Sequence, residues 1–378
     1  MSDLPATPRQ PSRLLGFDLL RGYFLVAIVL NHLYWYPSGF DIVAARGGLF
    51  VTAAEGFFLL SGIILGIIRG RKLIAEPFKK AAGLLLNRGV QLYVASIILM
   101  VFFTLLGWWF FIDNPGLKPG IRPVDQPLVE VLWGALTYQY IYGWADFLRL
   151  YAIFLLVSPL ALWLLRIKKW YVLLVLSIGA WALFPFATQT LPYSAELLMP
   201  ISWQLIFFGG LTIGFYWNTI IEWWNKRTMH FRTVVVSTTV SVAISTILIN
   251  VVLSQYSLFP SGIAEYLQTI HQNLIPFFNK EQLTLPRLLL FLVWIGFGYW
   301  IVHRLQAFIV RWFGWILIPF GSNSLYVYIL HAFLVFFAHL LLQGQTPHFI
   351  FSFFGSLAIL GLILLAIRTK FLMKIIPR

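Results

Sequence analysis

Long apolar segments alternate with short polar segments along almost the entire chain. This pattern predicts membrane-spanning helices at about residues 17–36, 47–68, 87–111, 149–165, 170–187, 198–217, 233–253, 287–303, 317–342 and 348–367. Seven of these segments approach or exceed the ~20 residues that a helix needs to cross a hydrocarbon core about 30 Å thick. The predicted fold class is therefore all-α, a polytopic transmembrane helix bundle with about ten spans.

One further apolar segment, residues 131–147, is too short and too interrupted to be read as a span. We predict an interfacial or re-entrant helix there, because a full crossing would invert the orientation of every later span. The predicted organisation is a polar N-terminal tail over residues 1–16, followed by one integral membrane domain over residues 17–378. Its two long outer loops are predicted at residues 112–148 and 254–286.

Composition and charge agree with this prediction. Hydrophobic residues make up 60% of the chain and charged residues 11%, whereas a soluble domain needs more polar residues to cover its surface. The net charge of +14 comes largely from short loops, and loops rich in Lys and Arg stay in the cytoplasm. With ten spans, all but six of the 27 Lys and Arg share the side of the N-terminus, which predicts both termini in the cytoplasm; the exceptions are Arg46, Lys118, Arg122, Arg149, Lys280 and Arg287.

Several classes of function are disfavoured. The basic residues form no stripe with interleaved aromatic side chains, so we expect no nucleic-acid partner. The chain has no cysteine, which excludes disulfides and thiolate chemistry. The histidines are scattered over different predicted helices without paired ligand spacing, so we expect no metal. No phosphate-binding loop or hydrolase motif of a soluble enzyme is present.

The first predicted span carries three ionisable residues, Asp18, Arg21 and His32. Charged groups at membrane depth are costly and therefore mark candidate functional sites. Asp18 and Arg21 are neighbours on one helix face, and His32 returns to nearly that face about 16 Å further along the axis. The alternative is a snorkelling Arg21 and an interfacial His32.

The second predicted span contains Glu55 and Ser61 in the sequence AEGFFLLSG. Glu55 is expected at a depth similar to that of His32, where a carboxylate would orient the imidazole as a general base. A buried structural pair is the alternative. Gly56, Gly62 and Gly66 would allow close approach of a ligand or of another helix.

Further candidates lie in later predicted spans. Arg88 opens the third span, where together with Arg21 it would bind an anionic group such as a phosphate. Asp146 and Arg149 precede the fourth span, and a local ion pair is their simplest explanation. His331 is expected near mid-membrane and needs a polar partner or a water-filled cavity; the polar residues close to it are Asn323, Ser324, Tyr326 and Tyr328.

Three segments are similar to a known family. FDLLRGYFLVAIVLNH resembles the first helix of the membrane acyltransferase-3 superfamily, in which an Arg and a His correspond to Arg21 and His32. EGFFLLSG resembles the second-helix signature of that superfamily, and SNSLYVYILHAFLV its late segment ending in His. The Glu before FFLLSG and the C-terminal pattern look most like the OpgC group. The chain departs from the superfamily after the second span, where NRGVQLY stands in place of an Arg-rich stretch.

The resemblance implies an acyl-CoA-dependent O-acyltransferase of a bacterial cytoplasmic (inner) membrane. Such an enzyme moves an acyl group, succinyl or acetyl, from cytoplasmic acyl-CoA to a hydroxyl of an extracytoplasmic glycan, such as a periplasmic glucan. Acyl-CoA is then the donor substrate and no metal is needed. We expect Asp18, Arg21 and Arg88 at the acyl-CoA site, and His32 and Glu55 as catalytic residues. The expected cavity-lining residues are Ser61, Asp146, Asn323, Ser324, Tyr328 and His331.

The sequence leaves alternatives open. The intramembrane charges are also compatible with a proton-coupled secondary transporter of a small anionic or sugar solute, in which Glu55, His32 and His331 relay protons. Against this, no pair of corresponding broken helices indicates inverted repeats. Direct transfer and a two-step route through an acylated His32 are equally compatible with the residues. The expected partners besides the substrates are the lipid bilayer and, optionally, a second copy of the chain.

Overall fold

The computed structural model describes residues 12–44, 50–70, 76–117, 126–142, 144, 146–343, 345, 347–374 and 376. The described chain forms fifteen α-helices: α1 Ser12–Leu33, α2 Ala53–Leu65, α3 Phe78–Phe110, α4 Leu128–Leu136, α5 Asp146–Arg166, α6 Trp170–Ala182, α7 Phe184–Thr190, α8 Ala195–Phe215, α9 Trp217–Asn225, α10 Met229–Ser254, α11 Ser261–Leu274, α12 Leu285–Arg304, α13 Gln306–Ser322, α14 Ser324–Leu342 and α15 Phe349–Thr369. A π-helical turn, Gly66–Gly70, extends α2. No β-strand occurs within these ranges.

Nine helices of the described residues are long and apolar enough to cross a membrane, the π-helical turn being counted with α2. α6 and α7 form a bent pair, with 42° between their axes, and counting the pair as one broken span gives ten. The prediction of an all-α polytopic bundle is therefore confirmed. Most of the predicted tail, residues 1–11, and part of the predicted outer loop, residues 118–125, lie outside the described residues.

Two predicted boundaries are wrong. The third span was predicted to begin at residue 87, but α3 begins at Phe78, so that Arg88 lies well inside the helix. The predicted span 317–342 is divided at Asn323 into α13 and α14. The side chain of Asn323 causes the break by competing for main-chain groups, since its Nδ2 donates to the main-chain oxygen of Pro319 at 2.9 Å.

α1 and α14 run side by side and parallel, because Arg21 meets Ser324 near their starts and His32 meets His331 further along. α15 runs back antiparallel, and the main-chain oxygen of Phe371, just after it, accepts a hydrogen bond from Tyr326 of α14 at 2.6 Å. α1 therefore begins, and α15 ends, at one end of the bundle. We call this the Arg21 end and the opposite one the His32 end. That the Arg21 end faces the cytoplasm stays a prediction.

Glycines allow α2 and α8 to pack in direct backbone contact. A Cβ atom at Gly62 would lie 2.2 Å from the main-chain oxygen of Phe207, and one at Gly214 would lie 2.0 Å from that of Ile63. Such small-residue interfaces are common between membrane helices, because they let the backbones approach closely. Helix packing therefore explains Gly62, whereas the space at Gly56 is filled by the ring of Phe24.

The segment before α5 forms a hairpin that packs along α3. Helix α4 leads to Leu136, whose main-chain oxygen accepts a hydrogen bond from Tyr93 in the middle of α3. The chain then returns along α3, where Tyr138 pairs with Ser96 at 2.6 Å and Tyr140 with Thr104 at 2.9 Å. Residue 144 and the start of α5, which follow this hairpin, lie at the His32 end of the bundle.

A cavity with a volume of about 630 Å³ lies between α1, α10, α12 and α13. Its lining is almost wholly apolar, with Phe24, Trp294 and Phe313 among its walls. It faces the side of α1 opposite to Arg21 and His32, and it contains none of the predicted site residues. This apolar cavity therefore does not mark the functional site, which we place where the polar groups converge.

Candidate functional site

The predicted site residues of α1 and α14 converge along the contact between these two helices. At the Arg21 end, Nη2 of Arg21 donates a hydrogen bond to the hydroxyl of Ser324. At the His32 end, Nδ1 of His32 lies 2.9 Å from Nε2 of His331. The Nε2 atom of His339 lies 2.8 Å from the main-chain oxygen of His32. His32 is partly accessible, whereas His331 is fully buried.

The hydrogen bonds determine where the protons of the two rings lie. Nδ1 of His331 faces the main-chain oxygen of Tyr328, and a carbonyl oxygen only accepts hydrogen bonds. Nδ1 of a neutral His331 therefore carries the proton, and its Nε2 is an acceptor. Nδ1 of His32 must then donate to it, which leaves the lone pair of His32 on Nε2. An imidazole fixed in this tautomer is suited to remove a proton from a substrate.

Residues from the hairpin before α5 and from α5 itself complete the His32 end. The Tyr328 hydroxyl donates to the main-chain oxygen of Trp144 at 2.5 Å and lies 3.2 Å from Oδ1 of Asp146. The ring of Phe147 has its centroid 6.5 Å from that of His32 and 5.6 Å from that of Tyr328. Asp146, predicted from its position before a span, is thus linked to His331 through Tyr328.

Positively charged residues lie near one another at the Arg21 end. The guanidinium of Arg21 lies 6.0 Å from the ring centroid of Phe57 and interacts electrostatically with Asp18 and with Tyr151. Arg88 of α3 also interacts with Tyr151, and with Arg69 of the π-helical turn. Arg21 and Arg88, which belong to different helices, thus both interact with Tyr151. Two guanidinium groups in one region are suited to bind a phosphate-bearing ligand.

A narrow internal cavity lies between the two ends. Its volume is about 10 Å³, close to the smallest space that holds one water molecule. Its walls are contributed by α2, α5 and α14, namely Phe57, Phe147, Leu148, Tyr151, Ser324, Leu325 and Tyr328. Since Ser324 contacts Arg21 and Phe147 contacts His32, the cavity lies on the path from the cationic end to the imidazole pair.

The expected pairing of Glu55 with His32 is not found. Oε1 of Glu55 instead forms a buried ion pair with Arg287 of α12, whose Nε lies 2.7 Å away. Oε2 of Glu55 accepts from the main-chain nitrogen of Thr52 at 3.1 Å and from its hydroxyl. Arg287 comes from a helix 232 positions away along the chain, so the spacing in the first two spans gave no indication of it. Glu55 therefore pairs with Arg287 instead of His32, and the imidazole that contacts the ring of His32 is that of His331.

Arg149 also differs from the expected local ion pair. It is buried, and its Nη1 and Nη2 donate to the main-chain oxygens of Leu197 and Glu196 at 3.1 and 2.8 Å. No direct ion pair joins Arg149 to Asp146 among the described residues. Of the six cations predicted on the outer side, Arg149 and Arg287 are thus internal groups with polar partners, and Arg46, Lys118 and Arg122 lie outside the described residues.

Four of the six residues expected to line the cavity do not line it, namely Ser61, Asp146, Asn323 and His331. Ser61 is buried in α2, and its hydroxyl has no hydrogen-bond partner among the described residues. Asn323 stabilises the break between α13 and α14 rather than facing the cavity. The sequence indicated polar residues at membrane depth, but it did not indicate on which side of a helix the cavity would lie.

Sequence reasoning missed two residues of the His32 end. His339 lies two helical turns after His331 and packs its ring against that of Trp144, with the centroids 5.2 Å apart. Lys280, in the long loop before α12, interacts electrostatically with His32 and with Asp146. The helical spacing of His331 and His339 could have indicated the first, whereas no local signal brings Lys280 to the site. Within the described part of the chain, no three acidic or imidazole side chains converge as metal ligands.

Comparison with known proteins gives one match. The family model described as "OpgC protein" matches residues 13–375, which is nearly the whole chain and includes every residue of the site. Neither the search of curated proteins nor that of solved structures finds a match.

Proposed function

This chain belongs to the OpgC family, and on that premise we propose that it is a membrane O-acyltransferase that moves an acyl group from cytoplasmic acyl-CoA to a hydroxyl of an extracytoplasmic glucan. The observation that carries the proposal is the arrangement of Arg21 and His32 on one face of α1. Eleven residues of helix separate a cationic site from an imidazole base by about 16 Å. An extended thioester arm would bridge a distance of this order.

The Arg21 end is suited to hold the phosphates of acyl-CoA. Arg21 and Arg88 would bind them, and both interact electrostatically with Tyr151. Ser324 keeps Arg21 pointed into this region. The apolar walls of the narrow cavity, among them Phe57 and Phe147, suit the largely uncharged arm that carries the thioester. Opening of this path is required for the arm to enter.

His32 would act as the general base. Its Nε2 takes the proton of the acceptor hydroxyl while that oxygen attacks the thioester carbonyl, and a C–O bond forms as the C–S bond breaks. The departing thiolate takes the same proton back, so the base is regenerated and charge is balanced. His331 stabilises the charged imidazole by accepting from Nδ1 of His32. The Tyr328 hydroxyl and Nδ1 of His331 already donate within the protein, so these groups position His32 rather than bind the oxyanion.

The His32 end has the composition of a sugar-binding surface. Trp144 and Tyr34 lie around His339, and the carboxylates of Asp146 and Glu196 interact with each other and with Lys280. Aromatic rings and carboxylates are common partners of sugar C–H faces and hydroxyls. We assign the glucan acceptor to this end, and the assignment requires that it face away from the cytoplasm.

Acyl transfer by the purified protein in nanodiscs tests the proposal. Labelled succinyl-CoA and acetyl-CoA are each offered with a mixed glucan acceptor, and binding of CoA alone is measured in parallel. Label in the glucan from at least one donor is the expected result. Absence of transfer from both donors, together with absence of CoA binding, would overturn the proposal in favour of a transporter.

A further inference from the structure

The apolar cavity between α1, α10, α12 and α13 lies at membrane depth, because α1, α10 and α12 are each long and apolar enough to cross a membrane. Its volume of about 630 Å³ falls within the range of about 300–1,000 Å³ that is usual for ligand pockets. An apolar cavity takes up apolar groups rather than water. A ligand that fits it must therefore have a hydrocarbon part.

Two walls of the cavity, α10 and α12, stand at the periphery of the bundle. Only 11% of the apolar part of α10 and 17% of that of α12 are buried, compared with 56% for α1. The two helices are joined to each other by a hydrogen bond of 2.9 Å from Nε1 of Trp294 to the hydroxyl of Thr246. Because their outer sides face the bilayer, a lipid chain is the apolar group nearest to the cavity.

Most polar groups of the lining lie toward the His32 end. Asp41 and Thr52 belong to the connection from α1 to α2, which starts at that end. Asn250 and Gln255 lie at the C-terminus of α10. This terminus is joined to the same connection, since Oδ1 of Asn250 accepts from the main-chain nitrogen of Phe50 at 3.4 Å. The cavity thus has one polar end and an apolar remainder, which suits an amphipathic ligand.

Asp41 is the only charged residue among the described residues of the lining. Its Oδ2 accepts hydrogen bonds from the main-chain nitrogens of Ser38 and Gly39 at 3.0 and 3.1 Å. Its Oδ1 is buried and has no hydrogen-bond partner within the described part of the chain. A buried carboxylate oxygen without a partner is costly, and a cation is the group that complements it best. The polar end therefore favours a ligand with an ammonium group.

We propose that the cavity is a binding site for one phospholipid, with a hydrocarbon chain in the apolar part and an ammonium head group against Asp41. The side-chain amides of Asn250 and Gln255 are suited to donate to its ester or phosphate oxygens. Phosphatidylethanolamine has this chemistry, whereas phosphatidylglycerol brings a net negative charge and no ammonium group to the carboxylate. The lipid supports α1 from the side opposite to Arg21 and His32, and its binding does not depend on acyl transfer.

Native mass spectrometry of the purified full chain in detergent tests the site, with the two lipids carrying identical acyl chains. The wild type should retain one phosphatidylethanolamine about 10-fold more strongly than phosphatidylglycerol, in the range of one charged hydrogen bond. Asp41→Asn should bind the two lipids equally. Val251→Trp fills the cavity and should lower retention at least about 10-fold. The adjacent Val252→Trp, on the exposed face, is the matched control and should retain the lipid.

A second measurement locates the lipid in the wild type, so the test does not depend on how the variants fold. Phosphatidylethanolamine with a diazirine at the end of one acyl chain is crosslinked to the protein in nanodiscs, and label is expected in the parts of α1 and α12 that line the cavity. Label spread evenly over all lipid-facing helices would overturn the proposal. So would equal retention by Val251→Trp and Val252→Trp, equal retention of both lipids by the wild type, or no retention at all.

Discussion

At the residue scale, the two proposed tasks of the site, phosphate binding at Arg21 and proton removal at His32, are assigned to different positions of one helix, α1. Arg21 is held by the hydroxyl of Ser324, and His32 by the ring of His331. Both supporting residues come from α14, so a single helix contact sets the distance between the proposed anion site and the proposed base. Mutations at the Arg21 end are therefore expected to weaken donor binding, and mutations at the His32 end to slow the chemical step.

Replacing Arg21 should weaken donor binding more than it slows the chemical step. For Arg21→Met we expect KM for acyl-CoA to rise about 10- to 100-fold, because a charged hydrogen bond contributes about 1.5–3 kcal/mol. The change in kcat should be small, since Arg21 is about 16 Å from the base. Steady-state kinetics over a range of donor concentrations measure the two effects separately. A fall in kcat at unchanged KM would contradict the assignment of Arg21 to the phosphates.

Replacing Glu55 should affect stability rather than catalysis. Glu55→Ala leaves Arg287 buried without its partner, and breaking a buried ion pair in this way costs about 3–5 kcal/mol. We therefore expect a clear loss of thermal stability and of folded yield. The turnover of the remaining folded fraction should stay near that of the wild type. A stable Glu55→Ala protein without activity would restore the catalytic role that the sequence alone had indicated.

The sequence indicated several residues that converge in the structure, but it did not indicate all of their partners. Arg21, His32 and His331 stood out because ionisable groups at membrane depth are costly, and all three lie at the site. The partner of Glu55 was misjudged, because Arg287 looked like an ordinary outer-loop cation. Nothing in the local pattern of either segment could indicate a contact between helices so distant along the chain.

At the element scale, the contact between α2 and α8 depends on glycine. A Cβ atom at Gly210 would lie 2.4 Å from the main-chain oxygen of Leu59, whereas at the adjacent Gly209 it would meet nothing within 4 Å. Gly209 and Gly210 belong to the same turn of α8, so they form a matched pair for mutation.

Gly210→Ala should destabilise the protein by about 1–3 kcal/mol, the usual cost of overpacking a close contact. Gly209→Ala should be neutral or slightly stabilising, because alanine favours the helix. Thermal unfolding of both variants in the same detergent measures the difference. Equal stability of the two would show that α2 and α8 do not pack as described.

The hydrophobic pattern predicted most of the membrane-spanning helices. It did not predict the start of α3 or the break between α13 and α14. The predicted span 317–342 is divided at Asn323 into α13 and α14. α3 begins at Phe78, nine residues before its predicted start. Residues 131–147 were predicted only as an interfacial or re-entrant helix, and the choice between the two stays a prediction. Hydrogen bonds from the tyrosines of this segment hold it along α3, and its hydropathy gave no indication of these contacts.

At the scale of the whole molecule, α1 begins and α15 ends at the same end of the bundle. The positive-inside rule predicts that this is the cytoplasmic end, and the proposed function requires it, since acyl-CoA is cytoplasmic. A cysteine introduced by Lys370→Cys, just after α15, should react with an impermeant thiol reagent in inverted membrane vesicles but not in intact cells. The chain has no native cysteine, so labelling reports this site alone. Labelling from outside intact cells would contradict the orientation.

The central claim is that His32, oriented by His331, is the base for acyl transfer. The most direct measurement is the rate of label transfer to glucan by wild type, His32→Ala and His331→Phe in the same nanodiscs, at saturating donor. General base catalysis contributes about 10²- to 10⁴-fold, so His32→Ala should lose at least 10²-fold. His331→Phe, which keeps the base but removes its acceptor, should retain intermediate activity. An undiminished rate in a folded His32→Ala protein would contradict the account.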